Sequence, residues 1–380
     1  MSSQGNTRKE WVSGKKTIVV KVGTSSITHP DGKIKFRFID HLARQICDLA
    51  NDGRQVVLVT SGAIGVGFPL LGFTERPTLL CEKQASAAVG QGILMNAYER
   101  SFQDYGRHVG QVLLTKGDSL SPARYMYARG MIRALLETGA IPVINENDAV
   151  AADELKIGDN DTLSATVASI VDADLLILLS DVEGLYDKNP AANKDAKLLD
   201  EVPHFSRDLI RLAEGPGTKS GTGGMYTKLL AAEICVRSGI DMIIAKSDTP
   251  QVLYRILDGE CVGTFFHAET VHPQLKKREI IIGAGIGGKI FVDAGCREAI
   301  LHKGSSLLAV GIVGTEGAWA EGEIVSVYCG EEELARGIAH YDKEDTARLA
   351  GCHTQEMAAR LGTVAPYDTV IHRDNLYVLH

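Results

Sequence analysis

The chain has 380 residues, which is long enough for two or three domains. Hydrophobic residues make up 44% and charged residues 23%, as in an ordinary globular protein, and no apolar run approaches the roughly 18 residues that a membrane-spanning helix needs. The formal net charge of −8 opposes general affinity for nucleic acids. The composition therefore excludes a membrane-embedded protein and argues against a nucleic-acid-binding one.

The cysteines and the first residues indicate the compartment. Seven cysteines are spread along the chain, and none belongs to a C-x-x-C pair. This spacing indicates neither a disulfide framework nor a zinc site, so we expect a reducing, cytoplasmic location. Residues 1–16 are polar and lack the apolar stretch of a secretion signal. We expect them to form a disordered N-terminal extension.

Short apolar runs alternate with helical patterns from residue 17 to about residue 286. This alternation, with fully apolar strands, predicts an α/β fold with an open, mostly parallel sheet sandwiched by helices. Ligands of such folds bind beyond the carboxyl ends of the strands. The predicted strands are 18–22, 55–60, 111–114, 142–145, 175–179 and 242–245. The predicted helices include 37–50, 78–102, 122–137 and 163–171.

The first predicted strand carries one internal charged residue, Lys21, and continues into the turn Gly23-Thr24-Ser25-Ser26. A lysine in an apolar strand is unfavourable unless an anion or a carboxylate meets it. Near the carboxyl end of a strand and before such a turn, Lys21 is well placed over a nucleotide phosphate. The alternative is a lysine that reaches solvent at the edge of the sheet.

Carboxylates and amides are concentrated in the segments 145–148 and 159–161. The first follows a predicted strand and the second precedes a predicted helix, where one of its residues is explained as a helix cap. Capping does not need three such residues, and the spacing of an EF-hand is absent. We favour a site for a small zwitterion, with a carboxylate for its ammonium group and amides for its carboxylate.

Asp181 follows the predicted strand 175–179. Two interpretations of this residue stay open: it orients nucleotide or metal, or it belongs to an ordinary turn.

Segment 221–228 reads Gly-Thr-Gly-Gly-Met-Tyr-Thr-Lys and opens the helical pattern 229–236. Three glycines allow backbone N–H groups to point at an anion, and a helix N-terminus favours phosphate. Lys228 then lies one turn inside the helix, within reach of a transferring phosphoryl group. The segment is not a Walker A loop, and the alternative is a glycine-rich surface loop.

The pattern changes near Gly287, where strand-like pieces become short and are separated by glycines. The pieces 289–292, 307–310, 323–328, 337–339 and 367–372 predict a small all-β domain. Residues 283–288 match the letters G-x-G-x-x-G, but another strand-like run follows instead of a helix. A dinucleotide fingerprint must open a helix, so we interpret these glycines as a linker.

Five segments resemble glutamate 5-kinases, a family of the amino-acid kinase superfamily. They are Val-Val-Lys-Val-Gly-Thr-Ser (19–25), Val-Thr-Ser-Gly-Ala-Ile (59–64), Ile-Asn-Glu-Asn-Asp-Ala-Val (144–150), Gly-Asp-Asn-Asp-Thr-Leu-Ser-Ala (158–165) and the glycine segment 221–228. The part from about Gly287 resembles the PUA domain that many of these kinases carry. The resemblance thus covers nearly the whole chain and implies a kinase domain at 17–286 and a PUA-like β domain at 287–380.

The resemblance also implies roles for individual residues. Lys21, Lys228 and Asp161 would be catalytic, with Asp161 organising the two lysines. Glutamate would be bound by Ser61, Asp148 and Asn160. ATP would be bound by Lys21, Ser180, Asp181, Thr222, Gly223, Gly224, Met225, Tyr226, Thr227 and Lys228. The chain departs from the family pattern at Ser180, where Thr is usual, and at Tyr226, where a small Ser is common.

The implied reaction converts ATP and L-glutamate into ADP and L-glutamyl 5-phosphate, the first step of proline biosynthesis. Mg²⁺ would bridge the β- and γ-phosphates of ATP, and no separate protein metal site is expected. Further implied partners are proline as a feedback inhibitor, a glutamyl-phosphate reductase and other copies of the chain in a dimer or tetramer. Neither a membrane nor a nucleic acid is expected.

The sequence leaves three alternative functions open. The first is another member of the superfamily with a different acid acceptor, the second is an RNA-binding protein that uses its PUA-like part, and the third is a dehydrogenase. From residue 289 onward, 8 Lys/Arg stand against 14 Asp/Glu, and RNA binding usually needs a basic face. The dehydrogenase depends only on the glycines at 283–288.

Overall fold

The computed structural model describes residues 3–115, 122–150, 160–190, 193–213, 224–269 and 286–379. Contacts divide the chain into two compact units: Met1–Ser119 with Ala128–Thr270, and Leu120–Tyr127 with Val271–His380. The domain boundaries predicted at 16/17 and 286/287 remain predictions. No helix within the described ranges is long and apolar enough to cross a membrane.

An eight-stranded sheet forms the centre of the first unit, in the order β3-β4-β2-β1-β5-β7-β8-β6. Neighbouring strands are parallel except β7 and β8, which are antiparallel. All six residues of β4 and of β5 are buried, as expected when helices cover both faces of a parallel sheet. The strands are β1 (Thr17–Val22), β2 (Gln55–Val59), β3 (Val109–Leu114), β4 (Ile141–Glu146), β5 (Leu175–Ser180), β6 (Glu201–Val202), β7 (Asp241–Lys246) and β8 (Thr264–Phe266). The predicted mostly parallel α/β fold is therefore confirmed.

The helices of this part of the chain include the four that the sequence predicts, with ends shifted by three residues at most. They are α1 (Ser3–Ser13), α2 (Thr24–Ile27), α3 (Phe36–Asn51), α4 (Ala63–Gly67), α5 (Leu80–Gln103), α6 (Pro122–Glu137), α7 (Asn160–Ile170), α8 (Arg207–Ala213), α9 (Met225–Arg237) and α10 (Val252–Leu257). Helix α3 buries one apolar face against the sheet through Ile39, Leu42 and Ile46.

The N-terminal extension is not disordered as predicted, because residues 3–13 form helix α1. Val12 is fully buried, and the ring of Trp11 lies 5.1 Å from that of Phe265. Nη2 of Arg8 donates hydrogen bonds to the carbonyl oxygens of Val262 at 3.0 Å and Gly263 at 3.3 Å. These contacts lie more than 250 positions away in the sequence, so a reading of the local polar pattern could not reveal them.

The second unit contains a five-stranded sheet in the order β10-β9-β11-β12-β13. The sheet is antiparallel except for the pair β9–β11. Its elements are β9 (Ile286–Val292), α11 (Ala294–Lys303), β10 (Ile312–Gly317), β11 (Ile324–Cys329), β12 (Glu332–Ile338), α12 (Lys343–Leu349), α13 (Met357–Leu361) and β13 (Leu376–Val378). The β domain is confirmed, with three short helices that the sequence reading did not predict.

Two details of this unit differ from the sequence-based prediction. The predicted strands 307–310 and 367–372 are reduced to a single bridge between Leu307 and Ile371. The glycine motif at 283–288 reaches the described residues only at its end, where β9 begins at Ile286. A strand, not a helix, follows the glycines, as their interpretation without a dinucleotide site requires.

The strand register brings four chain segments together at one edge of the large sheet. Lys21 in β1 pairs with Val59 in β2 and with Leu178 in β5, and Val59 pairs with Ile144 in β4. The segments that leave these strands at their carboxyl ends therefore begin side by side.

Candidate active site

Three charged side chains meet at the carboxyl edge of the large sheet. Nζ of Lys21 is in hydrogen-bond contact with Oδ1 of Asp161, and Nζ of Lys228 lies 3.1 Å from Oδ2 of the same carboxylate. The exposed fraction is 4% for Lys21, 0% for Asp161 and 3% for Lys228. We call these three residues the charged cluster. It contains two positive charges and one negative charge.

Asp161 is the group on which the charged cluster depends. Burial alone would raise the pKa of its carboxyl group, but the ammonium groups of Lys21 and Lys228 outweigh that effect, and its pKa lies below the ordinary value. Asp161 also occupies the first turn of α7, where the helix dipole favours a negative charge. The carboxylate is therefore ionised at neutral pH and holds both lysines at the edge of the sheet.

Helix α9 delivers Lys228 to this position. Gly224 precedes the helix with an extended backbone, and Lys228 follows one turn later on its buried face. The hydroxyl of Thr227 lies 3.0 Å from Oδ2 of Asp161 and 2.8 Å from the carbonyl oxygen of Gly224, so its single proton is shared between these two acceptors. Thr222 and Gly223 lie outside the described residues, so their predicted part in ATP binding rests on the sequence alone.

Two predicted nucleotide residues, Ser180 and Asp181, lie at the end of β5, the strand that pairs with β1 next to Lys21. Ser180 ends the strand, and its hydroxyl donates to Oδ1 of Asp181 at 2.9 Å. Asp181 is exposed, and so is Tyr226, at 41% of its surface. Met225 and Tyr226 form the first turn of α9, beside the point where the glycine segment enters.

A second group of side chains, which we call the amide cluster, centres on Asn160. Nδ2 of Asn160 lies 2.6 Å from the carbonyl oxygen of Thr60, 2.7 Å from Oγ of Ser61 and 2.9 Å from Oδ1 of Asn145, so its two N–H donors are shared among three acceptors. Nδ2 of Asn145 donates in turn to Oε1 of Gln91 at 2.9 Å. The amide cluster thus comprises Ser61, Gln91, Asn145 and Asn160, and it joins the charged cluster through the neighbouring residues Asn160 and Asp161.

A cavity of about 290 Å³ opens beside the amide cluster. Its wall contains two acidic side chains, Glu146 and Asp148, together with the amides of Gln91, Gln111 and Asn147. The remaining lining residues are Ala63, Ala87, Ala88, Gly92, Leu113 and Ala149. Asp148 therefore faces this cavity, while Asp159 of the predicted polar segment lies outside the described residues.

Helix α5 supplies two residues of the site that the sequence reading missed. Besides Gln91, the buried hydroxyl of Tyr98 forms a 2.7 Å hydrogen bond with Oγ1 of Thr60. The two residues are seven positions apart, so they lie on the same face of α5. The sequence signal for these two site residues is weak, because Gln and Tyr seven positions apart also occur in helices at the protein surface.

Within the described residues, no group of three or more His, Cys, Asp or Glu side chains has an arrangement that holds a metal ion. Mg²⁺ that enters with a nucleotide keeps several waters and needs only one or two carboxylates. The exposed carboxylate of Asp181 is compatible with that requirement.

Comparison with known families assigns both parts of the chain. Residues 16–246 match the amino acid kinase family, and residues 288–361 match the PUA domain. The glutamate 5-kinase of Caldanaerobacter subterraneus subsp. tengcongensis is 49% identical over 363 residues, which cover 95% of this chain and 97% of that protein. The glutamate 5-kinase of Carboxydothermus hydrogenoformans is 45% identical, with 98% of this chain and 100% of that protein covered. The chain therefore belongs to the amino acid kinase family, among its glutamate 5-kinases.

Proposed function

We propose that this protein transfers the γ-phosphoryl group of ATP to the side-chain carboxylate of L-glutamate, giving ADP and L-glutamyl 5-phosphate, the first step of proline biosynthesis. The observation that carries the proposal is the buried charged cluster of Lys21, Asp161 and Lys228, joined directly to the amide cluster through Asn160. One cluster suits a phosphoryl group in transfer, and the other suits an amino-acid acceptor.

The transfer needs no general base. A glutamate side chain has an ordinary pKa of about 4.3, so its carboxylate is already ionised and nucleophilic at neutral pH. The difficulty is to bring one anion to another in line. Lys21 and Lys228 together carry one more positive charge than Asp161 neutralises, and this excess charge stabilises the negative charge on the phosphoryl oxygens during transfer. Asp161 keeps both ammonium groups in position.

The nucleotide would lie between the end of β5 and the start of α9. Ser180, Asp181 and the residues from Thr222 to Lys228 would contact it, with the first turn of α9 towards the phosphates. Asp181 would hold the Mg²⁺ that binds with ATP, and the ion would supply positive charge to the phosphates.

The acceptor would occupy the amide cluster and the cavity beside it. Ser61 and Asn160 present a hydroxyl and an amide next to Asp161, where the carboxylate that is phosphorylated must lie. Asp148 lines the cavity and is suited to the ammonium group. This arrangement favours an amino acid with a free ammonium group over its N-acylated form.

The activity is tested by ADP release with ATP, Mg²⁺ and one candidate acid at a time. L-glutamate should stimulate ADP release, and hydroxylamine should trap an acyl phosphate in the same reaction. Aspartate and N-acetylglutamate should be poor acceptors. Equal turnover with N-acetylglutamate would assign the protein to a different acceptor within the same family.

The same site supports a proposal about regulation. Proline shares the α-ammonium and α-carboxylate groups of glutamate but lacks the side-chain carboxylate, so it fits the part of the site that holds those groups. We expect proline to raise the apparent KM for glutamate. Steady-state kinetics at several proline concentrations test this, and inhibition that competes only with ATP would place the proline site elsewhere.

The cellular setting follows from the chemistry of the product. An acyl phosphate hydrolyses readily, so a glutamyl-phosphate reductase acting on it at once is the partner that we propose. We further propose a cytoplasmic homo-oligomer, dimer or tetramer. Size-exclusion chromatography with light scattering tests the assembly, and a single-chain mass would contradict it.

A further inference from the structure

The side-chain amide of Gln91 is buried, and only its oxygen has a hydrogen-bond partner among the described residues. Oε1 accepts a hydrogen bond from Asn145, whereas Nε2 is buried and has no hydrogen-bond partner among the described residues. Only 8% of the Gln91 surface is exposed. A buried donor without a partner is unfavourable and rare in folded proteins, so its retention here needs an explanation.

The orientation of the Gln91 amide follows from the backbone. The N–H of Glu146 donates to Oδ1 of Asn145 at 2.9 Å, and a backbone N–H is always a donor. Oδ1 of Asn145 is therefore fixed towards the backbone and Asn160, and its Nδ2 faces Gln91. Gln91 must present its oxygen to that group, which leaves Nε2 free for another acceptor.

Gln91 also lines the cavity beside the amide cluster, together with Asp148 and Glu146. Helix α5 is held at this wall by two glycines: a Cβ on Gly90 would lie 1.9 Å from the carbonyl oxygen of Ala63, and one on Gly67 would lie 1.8 Å from that of Ser86. This close approach of α4 and α5 leaves the backbone of α5 little freedom to move away. The packing of α4 against α5 therefore fixes the position of the Gln91 side chain at the cavity wall.

We infer that Nε2 of Gln91 binds the α-carboxylate of the acceptor amino acid and so determines its specificity. Three arguments indicate that Nε2 binds the α-carboxylate and not the side-chain carboxylate that is phosphorylated. Gln91 lies at the end of the hydrogen-bond series opposite Asp161, with Asn145 and Asn160 between them. It shares the cavity with Asp148, and the α-carboxylate and α-ammonium groups are attached to the same carbon. The acidic wall would repel an α-carboxylate that found no donor.

This inference rests on the proposed function, and it adds a residue that touches the substrate. A neutral donor suits this position because the acceptor already brings two carboxylates to a site that must admit ATP. A lysine or arginine here would attract the side-chain carboxylate away from the phosphoryl group. An amide donor binds the α-carboxylate without displacing the reacting carboxylate.

The test compares L-glutamate with its α-amide, in which a neutral carboxamide replaces the α-carboxylate and the side-chain carboxylate is retained. Gln91→Glu keeps an oxygen for Asn145 but removes the donor. We expect it to raise the KM for L-glutamate by about 10- to 100-fold, as for a lost hydrogen bond to a charged group. The kcat and the KM for ATP should stay within about threefold, because Gln91 does not touch the reacting atoms.

The decisive readout is the preference between the two acceptors, expressed as the ratio of their kcat/KM values. Wild type should favour L-glutamate, and Gln91→Glu should lose that preference, because its carboxylate accepts a hydrogen bond from the α-amide and repels the α-carboxylate. Gln55→Glu makes the same chemical change at the exposed amino end of β2, outside the cavity wall, and should retain the preference. Gln91→Met removes the donor without adding charge and should lower the preference in the same direction.

Two results would overturn the inference. One is a Gln91→Glu enzyme that keeps the wild-type preference, and the other is an equal loss with both acceptors, which assigns Gln91 only a packing role. If Gln91→Glu does not fold, the preference of Gln91→Met decides in the same way. If wild type forms no acyl phosphate from L-glutamate, the proposed function fails instead, so the two failures are distinguishable.

Discussion

The charged cluster and the amide cluster are adjacent in the chain and in space, yet they are built differently. Asp161 binds two buried lysines, whereas Asn160, the residue before it, binds the Ser61 hydroxyl, a backbone carbonyl and another amide. Full charges are suited to a reaction in which charge moves, and neutral hydrogen bonds are suited to recognition. Changes in the charged cluster should therefore alter turnover and stability, and changes in the amide cluster should alter affinity for the acceptor.

The largest effect is expected from Asp161→Asn, which removes the negative charge between two buried lysines. Breaking a buried ion pair at one partner costs about 3–5 kcal/mol, because the remaining charge stays uncompensated. Urea unfolding at neutral pH measures the loss. Asp172→Asn is the control: Asp172 pairs with Arg129 at the surface and has a φ of 51°, which Asn also adopts, so it should change stability by about 1 kcal/mol at most. Equal losses of unfolding free energy in the two variants would show that the buried ion pairs of Asp161 contribute no more than the surface pair of Asp172.

Removal of either lysine should act mainly on turnover. Lys228→Ala and Lys21→Ala should each lower kcat on the order of 10²-fold or more, because a charge aimed at the transition state is lost. Lys15→Ala is the matched control, since Lys15 pairs with Asp241 at 2.5 Å at the opposite edge of the same sheet. It should leave kcat within about twofold of wild type. If Lys228→Ala kept the wild-type kcat, Lys228 and the start of α9 would have no part in the transfer.

Changes at the acceptor side should act on the KM for glutamate. Asn160→Ala removes hydrogen bonds to Ser61 and Asn145, and Asp148→Ala removes a carboxylate from the cavity wall. We expect each to raise the KM for glutamate by about 10- to 100-fold and the KM for ATP by less than about threefold. The same variants should weaken inhibition by proline in parallel. If inhibition by proline were unchanged while glutamate binding was lost, the two ligands would occupy separate sites.

The smallest effect concerns pH, and it follows from the direction of the Asp161 pKa. The pKa of this carboxyl group is lower in the folded protein than its ordinary value of 3.8, so its stabilisation is complete above that value and is lost as the pH falls through the folded pKa. The difference in free energy of unfolding between wild type and Asp161→Asn should thus be constant from about pH 8 to about pH 5. A difference that already declined across this neutral range would indicate a raised pKa.

The sequence predicted most of the first unit because its strands are continuous apolar runs and its helices have an apolar face. Parallel strands then require their carboxyl ends to meet, which is why Lys21 was expected beside Ser61, Asn145 and Ser180. The place of Asp161 beside Lys21 was implied by the family resemblance and not by the strand pattern. Helix α1 was missed because its stabilising contacts, such as those of Arg8, are made with residues far along the chain. Gln91 was missed for a different reason: a glutamine in the middle of a helix is usually solvent-exposed, and only packing reveals its burial.

We propose above all that the charged cluster serves the transfer and that the amide cluster holds the acceptor. Calorimetric titration of L-glutamate into protein saturated with a non-hydrolysable ATP analogue and Mg²⁺ tests it without turnover. Lys228→Ala should bind glutamate with a Kd within about threefold of wild type, whereas Asn160→Ala should bind it about 10- to 100-fold more weakly. Equal loss of glutamate affinity in the two variants would contradict the claim.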